Sequence, residues 1–433
     1  MNNLKEKDLK KLEEMLSSLE EEYQKYASMS LNLNMSRGKP CSEQLDLSMG
    51  MMDVLSSKDN LLCEDGIDCR NYGILGGIEE AKRLLAEIIE VDPKNIIICG
   101  NSSLNVMFDC ISTAYTHGIL GSVPWCKLKE VKFLCPVPGY DRHFAITEYF
   151  GIKMINIPLL DDGPDMDLVE KYCSTDESIK GIWCVPKYSN PTGITYSDEC
   201  VRRFARLKPK AKDFRIYWDN AYSVHHLYEN NQDFLLEILD EAKKAGNPDL
   251  VYKFTSTSKI SFPGSGLAAI ASSPNNILDI KERLRIETIG YDKVNQLRHV
   301  RFFKNLEGVK KQMKLHADIL RPKFLLVDQI LTMELGDNYG TWTKPHGGYF
   351  ISFNTLPNLA KKVVKECKAL GVQLTEAGAT YPYHHDELDT NIRIAPSYPS
   401  LDELNLATHV FTTVVKKETI KKLIKEKKEE LKN

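Results

Sequence analysis

Hydrophobic and polar positions follow two different periods along most of the chain. Stretches whose apolar residues recur three and four positions apart are typical of amphipathic helices, and they occur at 78–91, 104–115, 198–207, 233–245 and 274–287. Short apolar runs are typical of buried strands, and they occur at 96–99, 131–135, 152–158, 181–185, 214–218, 250–255 and 267–271. This alternation predicts an α/β fold with a mostly parallel, doubly wound sheet.

The two ends of the chain follow another pattern, which predicts a smaller α+β domain. Near the start, residues 4–26 predict a helix with one apolar stripe and residues 30–50 predict a loop. Further elements are predicted after residue 306: a long helix to 333 that Pro322 should kink or interrupt, a strand at 349–353, a helix at 358–370, a strand at 392–395 and a terminal helix at 401–430 with a solvated Lys/Glu-rich end. We therefore predict a large domain at 51–306 and a small domain built from 1–50 and 307–433.

Composition narrows the class of protein. The 433 residues carry 57 basic and 60 acidic side chains, a net charge of −3, which gives no reason to expect nucleic-acid binding. The chain starts without the apolar segment of a signal peptide, and it has no apolar run long enough to span a membrane. None of the 11 cysteines has CxxC spacing, so we expect a reduced, cytoplasmic protein without a bound metal.

Polar residues follow the ends of two predicted strands. Asp219 closes the apolar run 214–218, and Lys259 comes shortly after the run 250–255, behind Ser256-Thr257-Ser258. Ligands in open α/β sheets bind beyond the carboxyl ends of the strands, so both side chains are candidates for one crevice. Taken singly, Asp219 could equally cap a loop and Lys259 could be solvated.

Two loops are candidates for the same crevice. Gly100-Asn101-Ser102-Ser103 joins a strand to a helix, where free backbone N–H groups favour an anion, although an ordinary serine cap explains the loop equally well. Asn190-Pro191-Thr192-Gly193 follows another strand, and it could also be a simple turn.

The order and spacing of these pieces resemble the class I aminotransferases of pyridoxal-phosphate fold type I. The resemblance runs from Arg37 to Arg393 and includes Asn71-Tyr72-Gly73, Pro138-Gly139-Tyr140, Asp219-Asn220-Ala221-Tyr222 and Asn391-Ile392-Arg393-Ile394-Ala395. Ser36-Arg37-Gly38-Lys39-Pro40, the following 43–47 and Phe262-Pro263-Gly264 are similar to the subclass Ic aspartate aminotransferases.

The resemblance implies pyridoxal 5′-phosphate as the cofactor and gives roles around its ring. Lys259 would bind the cofactor covalently and later move the substrate proton, while Asp219 would pair with the ring nitrogen. Asn190 and Tyr222 would hydrogen-bond the phenolic oxygen, and Tyr140 would stack on the ring face. His143 is a candidate support for Asp219, although a structural histidine is an equal alternative.

The resemblance also implies a phosphate site and a dimer. Asn101, Ser102, Ser103 and Ser256 would hold the phosphate, and Tyr72 would reach the cofactor of the neighbouring subunit, so that a homodimer shares its active sites. One departure is clear: residues 260–273 contain neither arginine nor lysine, where the family usually has an arginine for the phosphate. Ser265 in this stretch could offer only a hydroxyl and backbone N–H groups.

For the substrate, the resemblance implies that Arg393 binds the α-carboxylate as a bidentate fork, with Asn190 beside it. The loop Arg37-Gly38 is a candidate for a second, side-chain carboxylate, although Arg37 and Lys39 could equally be solvated. We expect transfer of an amino group between an amino acid, aspartate or glutamate first, and a 2-oxo acid such as 2-oxoglutarate. Elimination or decarboxylation at the same site is the alternative. A regulatory module is disfavoured, since the 36 residues before Arg37 are too few for a winged helix-turn-helix.

Overall fold

The computed structural model describes residues 4–432, and its centre is a large sheet of eight strands. The thirteen strands of the described chain are β1 (Leu33–Asn34), β2 (Ile96–Ile98), β3 (Lys132–Val137), β4 (Lys153–Leu160), β5 (Gly163–Pro164), β6 (Ile179–Cys184), β7 (Arg215–Asp219), β8 (Val251–Ser256), β9 (Ala268–Ala271), β10 (Gly340–Trp342), β11 (Ile351–Thr355), β12 (Val372–Gln373) and β13 (Asn391–Ile394).

The direction of the strands in the large sheet fixes where polar residues gather. Its order is β2-β9-β8-β7-β6-β3-β4-β5, and the neighbours from β8 to β4 run parallel. Because β9 runs antiparallel to both β2 and β8, strand β2 has the same direction as β8. The carboxyl ends of β2, β8, β7, β6 and β3 therefore lie at one edge of the sheet. The predicted fold class, α/β with a mostly parallel doubly wound sheet, is confirmed.

Helices separate most of these strands along the chain. They are α1 (Leu9–Ala27), α2 (Ser42–Asp46), α3 (Glu79–Ile89), α4 (Ser103–His117), α5 (Asp141–Tyr149), α6 (Met166–Thr175), α7 (Asp198–Ala205), α8 (Ile238–Lys244), α9 (Pro274–Glu287), α10 (Lys293–Phe303), α11 (Leu306–Glu334), α12 (Ala360–Ala369) and α13 (Leu401–Glu430). Every residue of β6, β7 and β8 is buried, which explains why apolar residues occupy consecutive positions in these strands instead of alternating with polar ones; the charged residues among them, such as Lys180, Arg215 and Lys253, are buried as well.

The two ends of the chain pack together. Strands β10, β11 and β13 form an antiparallel sheet, and β1 pairs in parallel with β12. Leu12 and Leu19 of α1 share one hydrophobic cluster with Val410 and Phe411 of α13. The division at residues 50 and 306 stays a prediction, and this packing supports it.

Several sequence predictions about elements were wrong. The first helix starts at Leu9 rather than residue 4, because the Asp8 side chain accepts the N–H of Lys11 at 2.7 Å and caps the helix there. The predicted loop 30–50 contains β1 and α2, and the helix predicted at 233–245 is only Ile238–Lys244. Pro322 does not interrupt α11, and its ring lies on the exposed side.

Two further features bear on the class of protein. Across residues 4–432, no helix combines the length and the apolar character that a membrane crossing requires. The same part of the chain has no group of three or more His, Cys, Asp or Glu side chains arranged to hold a metal ion.

Candidate active site

A buried carboxylate with one free oxygen lies at the edge of the large sheet. Asp219 is the last residue of β7, and its Oδ2 lies 3.1 Å from Nε2 of His143 on α5. The His143 ring stacks on Trp183, with ring centroids 4.5 Å apart, so its orientation is fixed. Oδ1 of Asp219 is buried and has no hydrogen-bond partner within residues 4–432. The predicted contact between His143 and Asp219 is therefore present, and it leaves one carboxylate oxygen for a ligand.

Lys259 lies beside this carboxylate. Asp219 is in register with Phe254 of the neighbouring β8, and Lys259 follows the end of β8 by three residues. Its Nζ lies 5.1 Å from the ring centroid of Tyr222 and 5.8 Å from that of Tyr349. Burial lowers the pKa of the Lys259 amine below its usual value; the Asp219 carboxylate opposes this shift, and the Arg393 cation adds to it. A lowered pKa increases the neutral fraction of the amine, which is the nucleophilic form.

The two tyrosines predicted at the ring stay protonated at neutral pH. Burial raises the pKa of Tyr222 well above its ordinary value and that of Tyr140 to about 12, and the negative charge of Asp219 acts in the same direction on both. Tyr222 can therefore donate a hydrogen bond. Tyr140 contacts His143 edge-on, with ring centroids 4.9 Å apart, so Tyr140, His143 and Asp219 lie in one cluster.

Hydroxyl groups gather beside the lysine. Ser102 occupies the cap position of α4, yet its side chain makes no capping hydrogen bond, so the hydroxyl is available. Ser256 Oγ donates to Ser258 Oγ at 3.0 Å, and Ser258 Oγ donates to the carbonyl of Asn101 at 3.2 Å. The structure thus brings together Asn101, Ser102, Ser103 and Ser256 at the amino end of a helix, where backbone N–H groups favour an anion.

Arg393 reaches the same edge from the other sheet. It lies on β13 and is buried, and its Nη1 donates to Asp141 Oδ1 at 2.8 Å and to Asn190 Oδ1 at 3.2 Å. Its Nε is buried without a partner in the described chain. Because Nη1 holds the protein contacts, the edge formed by Nε and Nη2 is the side of the guanidinium that can bind a carboxylate bidentately.

The other predicted residues are exposed or peripheral in the single chain. Arg37 is exposed, while Gly38 packs so closely on Phe350 that an added Cβ would lie 2.4 Å from the ring. The same ring lies 4.9 Å from the guanidinium carbon of Arg393, which brings the Arg37-Gly38 loop next to the arginine. Tyr72 is 79% exposed and lies outside the cluster of its own chain.

Sequence reasoning missed three residues of this cluster. Asp141 binds Arg393 directly, and Phe350 lies between that arginine and Gly38. Tyr349 lies beside Lys259, and its hydroxyl accepts a hydrogen bond from Gln44 Nε2 at 2.9 Å. The only available signals were the position of Asp141 directly after Tyr140 and the glycine pair before Tyr349.

Comparisons with known proteins define the class. The family described as aspartate amino-transferase matches residues 8–427. An aspartate aminotransferase of Corynebacterium glutamicum is 42% identical over 92% of each chain. The crystal structure of an aspartate transaminase from the same species superposes with a TM-score of 0.94 and 40% identity, covering 97% of this chain and 99% of that one. A kynurenine aminotransferase of Pyrococcus horikoshii, 18% identical, superposes with a TM-score of 0.73 over 92% of this chain and 94% of that one, which shows a shared fold.

The chain belongs to the aspartate amino-transferase family. The predicted activity, transfer of an amino group between an amino acid and a 2-oxo acid, is confirmed.

Proposed function

We propose that the chain is a pyridoxal 5′-phosphate-dependent aspartate aminotransferase that works as a cytoplasmic homodimer with shared active sites. One observation is the main support for this cofactor: within residues 4–432, a buried carboxylate oxygen of Asp219 has no hydrogen-bond partner, and it lies near Lys259, whose pKa is lowered. A buried carboxylate oxygen without a donor is costly, and a protonated ring nitrogen would satisfy it. All eleven cysteines are free thiols, which supports a reducing compartment.

The residues fit the rest of the cofactor as well. The hydroxyls of Ser102 and Ser256 and the N–H groups at the start of α4 suit a phosphate. Tyr222, protonated because its pKa is raised, suits a phenolic oxygen as hydrogen-bond acceptor, and Asn190 lies on the same side through its contact with Arg393.

Each side chain then has a task in the reaction. When bound, the cofactor supplies an electron sink for the bond broken at the substrate α-carbon. Asp219, held by His143, would keep the ring nitrogen protonated. The Lys259 amine would bind the cofactor covalently and, once released, would accept the α-proton at Nζ and pass it to the cofactor, because its return to the α-carbon would transfer no amino group. Arg393 would hold the α-carboxylate so that the α-hydrogen points at Nζ.

Two observations support aspartate as the amino donor. The Corynebacterium glutamicum relatives at 42% and 40% identity are named for aspartate. Gly38 and Arg393 both contact the ring of Phe350, so the loop that carries Arg37 as a second cation lies next to the first one. A dicarboxylic amino acid needs such a pair of cations, one for each carboxylate.

A half-reaction screen tests the proposal. Holoenzyme is mixed with each amino acid separately, the absorbance of the bound cofactor is followed, and the released product is identified. We expect aspartate and glutamate to give the corresponding 2-oxo acid and the amine form of the cofactor. Lys259→Ala is the control, and it should show no such conversion. Release of carbon dioxide or of a β-substituent instead of a 2-oxo acid would contradict the proposal.

A further inference from the structure

The segment after Lys259 contains no cation, yet a guanidinium from another element reaches it. Arg298 lies on α10, and its Nη2 donates hydrogen bonds to the hydroxyl of Ser265 and, at 2.5 Å, to Oδ1 of Asn295. Asn295 Nδ2 in turn donates to the carbonyls of Ser265 and Gly266, at 3.2 and 3.0 Å. Asn295 and Arg298 are three residues apart, so one face of α10 holds the segment at 265–266.

This segment is in contact with the hydroxyl cluster of the candidate active site. A Cβ added at Gly266 would lie 3.3 Å from the backbone nitrogen of Ser258, which means that the two backbones touch. Asn101 Nδ2 donates to the carbonyl of Pro263 at 3.5 Å. Arg298 therefore hydrogen-bonds a segment that itself contacts Asn101 and Ser258.

Arg298 has unused hydrogen-bonding capacity. It is half-buried, and it forms no ion pair with a carboxylate in the part of the chain that the structure describes. Its Nε is buried and has no acceptor among those residues. A guanidinium carries five N–H donors, so Arg298 keeps donors and a full positive charge for an anionic ligand.

A phosphate monoester would supply the anionic partner that Arg298 lacks among the described residues. Such a group carries close to two negative charges at neutral pH, and hydroxyls with backbone N–H groups solvate it without neutralising it. No lysine or arginine side chain hydrogen-bonds Asn101–Ser103, Ser256 or Ser258 within residues 4–432. Within the described residues, the cluster thus has no hydrogen-bonded cation, and Arg298 has no carboxylate partner.

We infer that Arg298 is the cation of the cofactor phosphate site and acts through the Ser265–Gly266 segment. The inference rests on the proposed function, since it concerns the phosphate of the proposed cofactor. Arg298 is a positioning residue for the phosphate site, since it acts through that segment, and it has no part in the proton transfer.

The test compares cofactors with and without the phosphate. Holoenzymes of the wild type, Arg298→Met and Arg298→Lys are dialysed to equilibrium against graded concentrations of pyridoxal 5′-phosphate or of pyridoxal, and occupancy is read after borohydride reduction. Arg298→Met should weaken binding of the phosphorylated compound by roughly 10- to 100-fold and leave pyridoxal binding unchanged. Arg298→Lys should recover part of the loss, because it keeps the charge and loses the planar fork.

A matched control lies on the same helix. Arg301 is three residues further along α10, and its Nη2 donates to the carbonyl of Asn60, away from the segment at 265–266. Arg301→Met should leave both affinities unchanged. If Arg298→Met does not fold, the difference between the two compounds in Arg298→Lys decides the question.

Two results would overturn the inference: an equal loss for pyridoxal and its phosphate, which indicates a structural role, or no loss for either. Failure of the proposed function itself looks different. In that case the wild type would form no reducible adduct with either compound.

Discussion

At the scale of single residues, the environment of Asp219 explains its proposed use. His143 occupies one carboxylate oxygen and Trp183 fixes the His143 ring, so the other oxygen has a defined direction. A carboxylate held in this way needs no rearrangement when a protonated nitrogen approaches, which is the advantage of a preorganised site.

Removal of the Asp219 charge should therefore lower the rate of the reaction far more than the binding of the cofactor. We expect Asp219→Ala and the isosteric Asp219→Asn to lower the rate of α-proton removal by several orders of magnitude, because a neutral pyridine is a poor electron sink. Single-turnover measurements with α-deuterated aspartate check this, with cofactor occupancy measured in parallel. Nearly unchanged rates in both variants would mean that Asp219 only caps its loop.

Arg37 is the residue whose role depends most on the substrate. It is exposed, but its neighbour Gly38 packs on Phe350 and so holds the loop next to Arg393. We expect Arg37→Gln to lower kcat/KM for aspartate and glutamate by roughly 10- to 100-fold and to spare alanine, which has no second carboxylate.

Lys39 provides the matched control for this loop. Its Nζ lies 3.8 Å from the ring centroid of Tyr398, so its charge is engaged elsewhere, and Lys39→Gln should leave the preference among amino donors unchanged. Equal losses for all donors in Arg37→Gln would place Arg37 at the common α-carboxylate or in closure of the loop. No loss for any donor would mean that its charge is merely solvated.

The residues that sequence reasoning found and those it missed differ in a physical way. Asp219, Lys259 and Ser102 are set by short-range order, since each follows a strand end whose apolar run is visible in the sequence. Asp141 and Phe350 matter only because β13 brings Arg393 to them, and Asp141 is 252 positions away from that arginine. Such contacts depend on the packing of two sheets, which the pattern of a single segment does not contain.

At the scale of elements, the same contrast holds. The central strands were predicted within a few residues because they are buried on both faces. Short strands such as β1 and β12 have no such signal and exist only because they pair with each other. The charged tail was predicted to be solvated, which holds for most residues after Ile424, whereas Lys417 is buried, with its Nζ 3.0 Å from Glu366 Oε2 and 3.4 Å from the Tyr23 ring centroid. Packing of α13 on α1 and α12 covers only the part of this charged stretch that lies before residue 425.

Helix α11 allows the energetic cost of a proline inside a helix to be measured. Pro322 lies in its interior at an exposed position, where it donates no N–H to the carbonyl of Asp318. We expect Pro322→Ala to raise the free energy of unfolding by about 1–3 kcal/mol, measured by urea denaturation. Lys311→Ala, exposed on the same helix, controls for helix propensity alone. A loss of stability in Pro322→Ala would show that the path of α11 requires the proline.

At the scale of the whole molecule, the candidate active site lies where two sheets meet. The large sheet contributes the ends of β2, β3, β6, β7 and β8, and the smaller one contributes Arg393 on β13. Since Lys259 and Arg393 belong to different sheets, any movement of one sheet against the other changes the distance between the groups that we propose to bind cofactor and substrate.

The proposed dimer would add a third contribution to each site. Tyr72 is 79% exposed, and its loop is held in place because Lys293 Nζ donates to the carbonyl of Gly73 at 3.0 Å. A large aromatic side chain presented to solvent on a fixed loop suits contact with a neighbouring subunit. In a symmetric dimer, each subunit would then supply its Tyr72 to the cofactor of the other.

Mixing of inactive variants tests this sharing. Tyr72→Ala and Lys259→Ala should each be inactive or nearly so, but a hybrid dimer has one site with the intact lysine of one chain and the intact tyrosine of the other. Random exchange of equal amounts makes half of the dimers hybrid with one working site each, so about a quarter of the wild-type activity should return. A mixture of Lys259→Ala with Asp219→Ala is the control, and it should recover nothing, because both groups belong to the same chain's site and every site in that hybrid carries one defect. Absence of recovery in the first mixture, with hybrid dimers demonstrated by mass spectrometry, would mean that each chain completes its own site and that Tyr72 has another use.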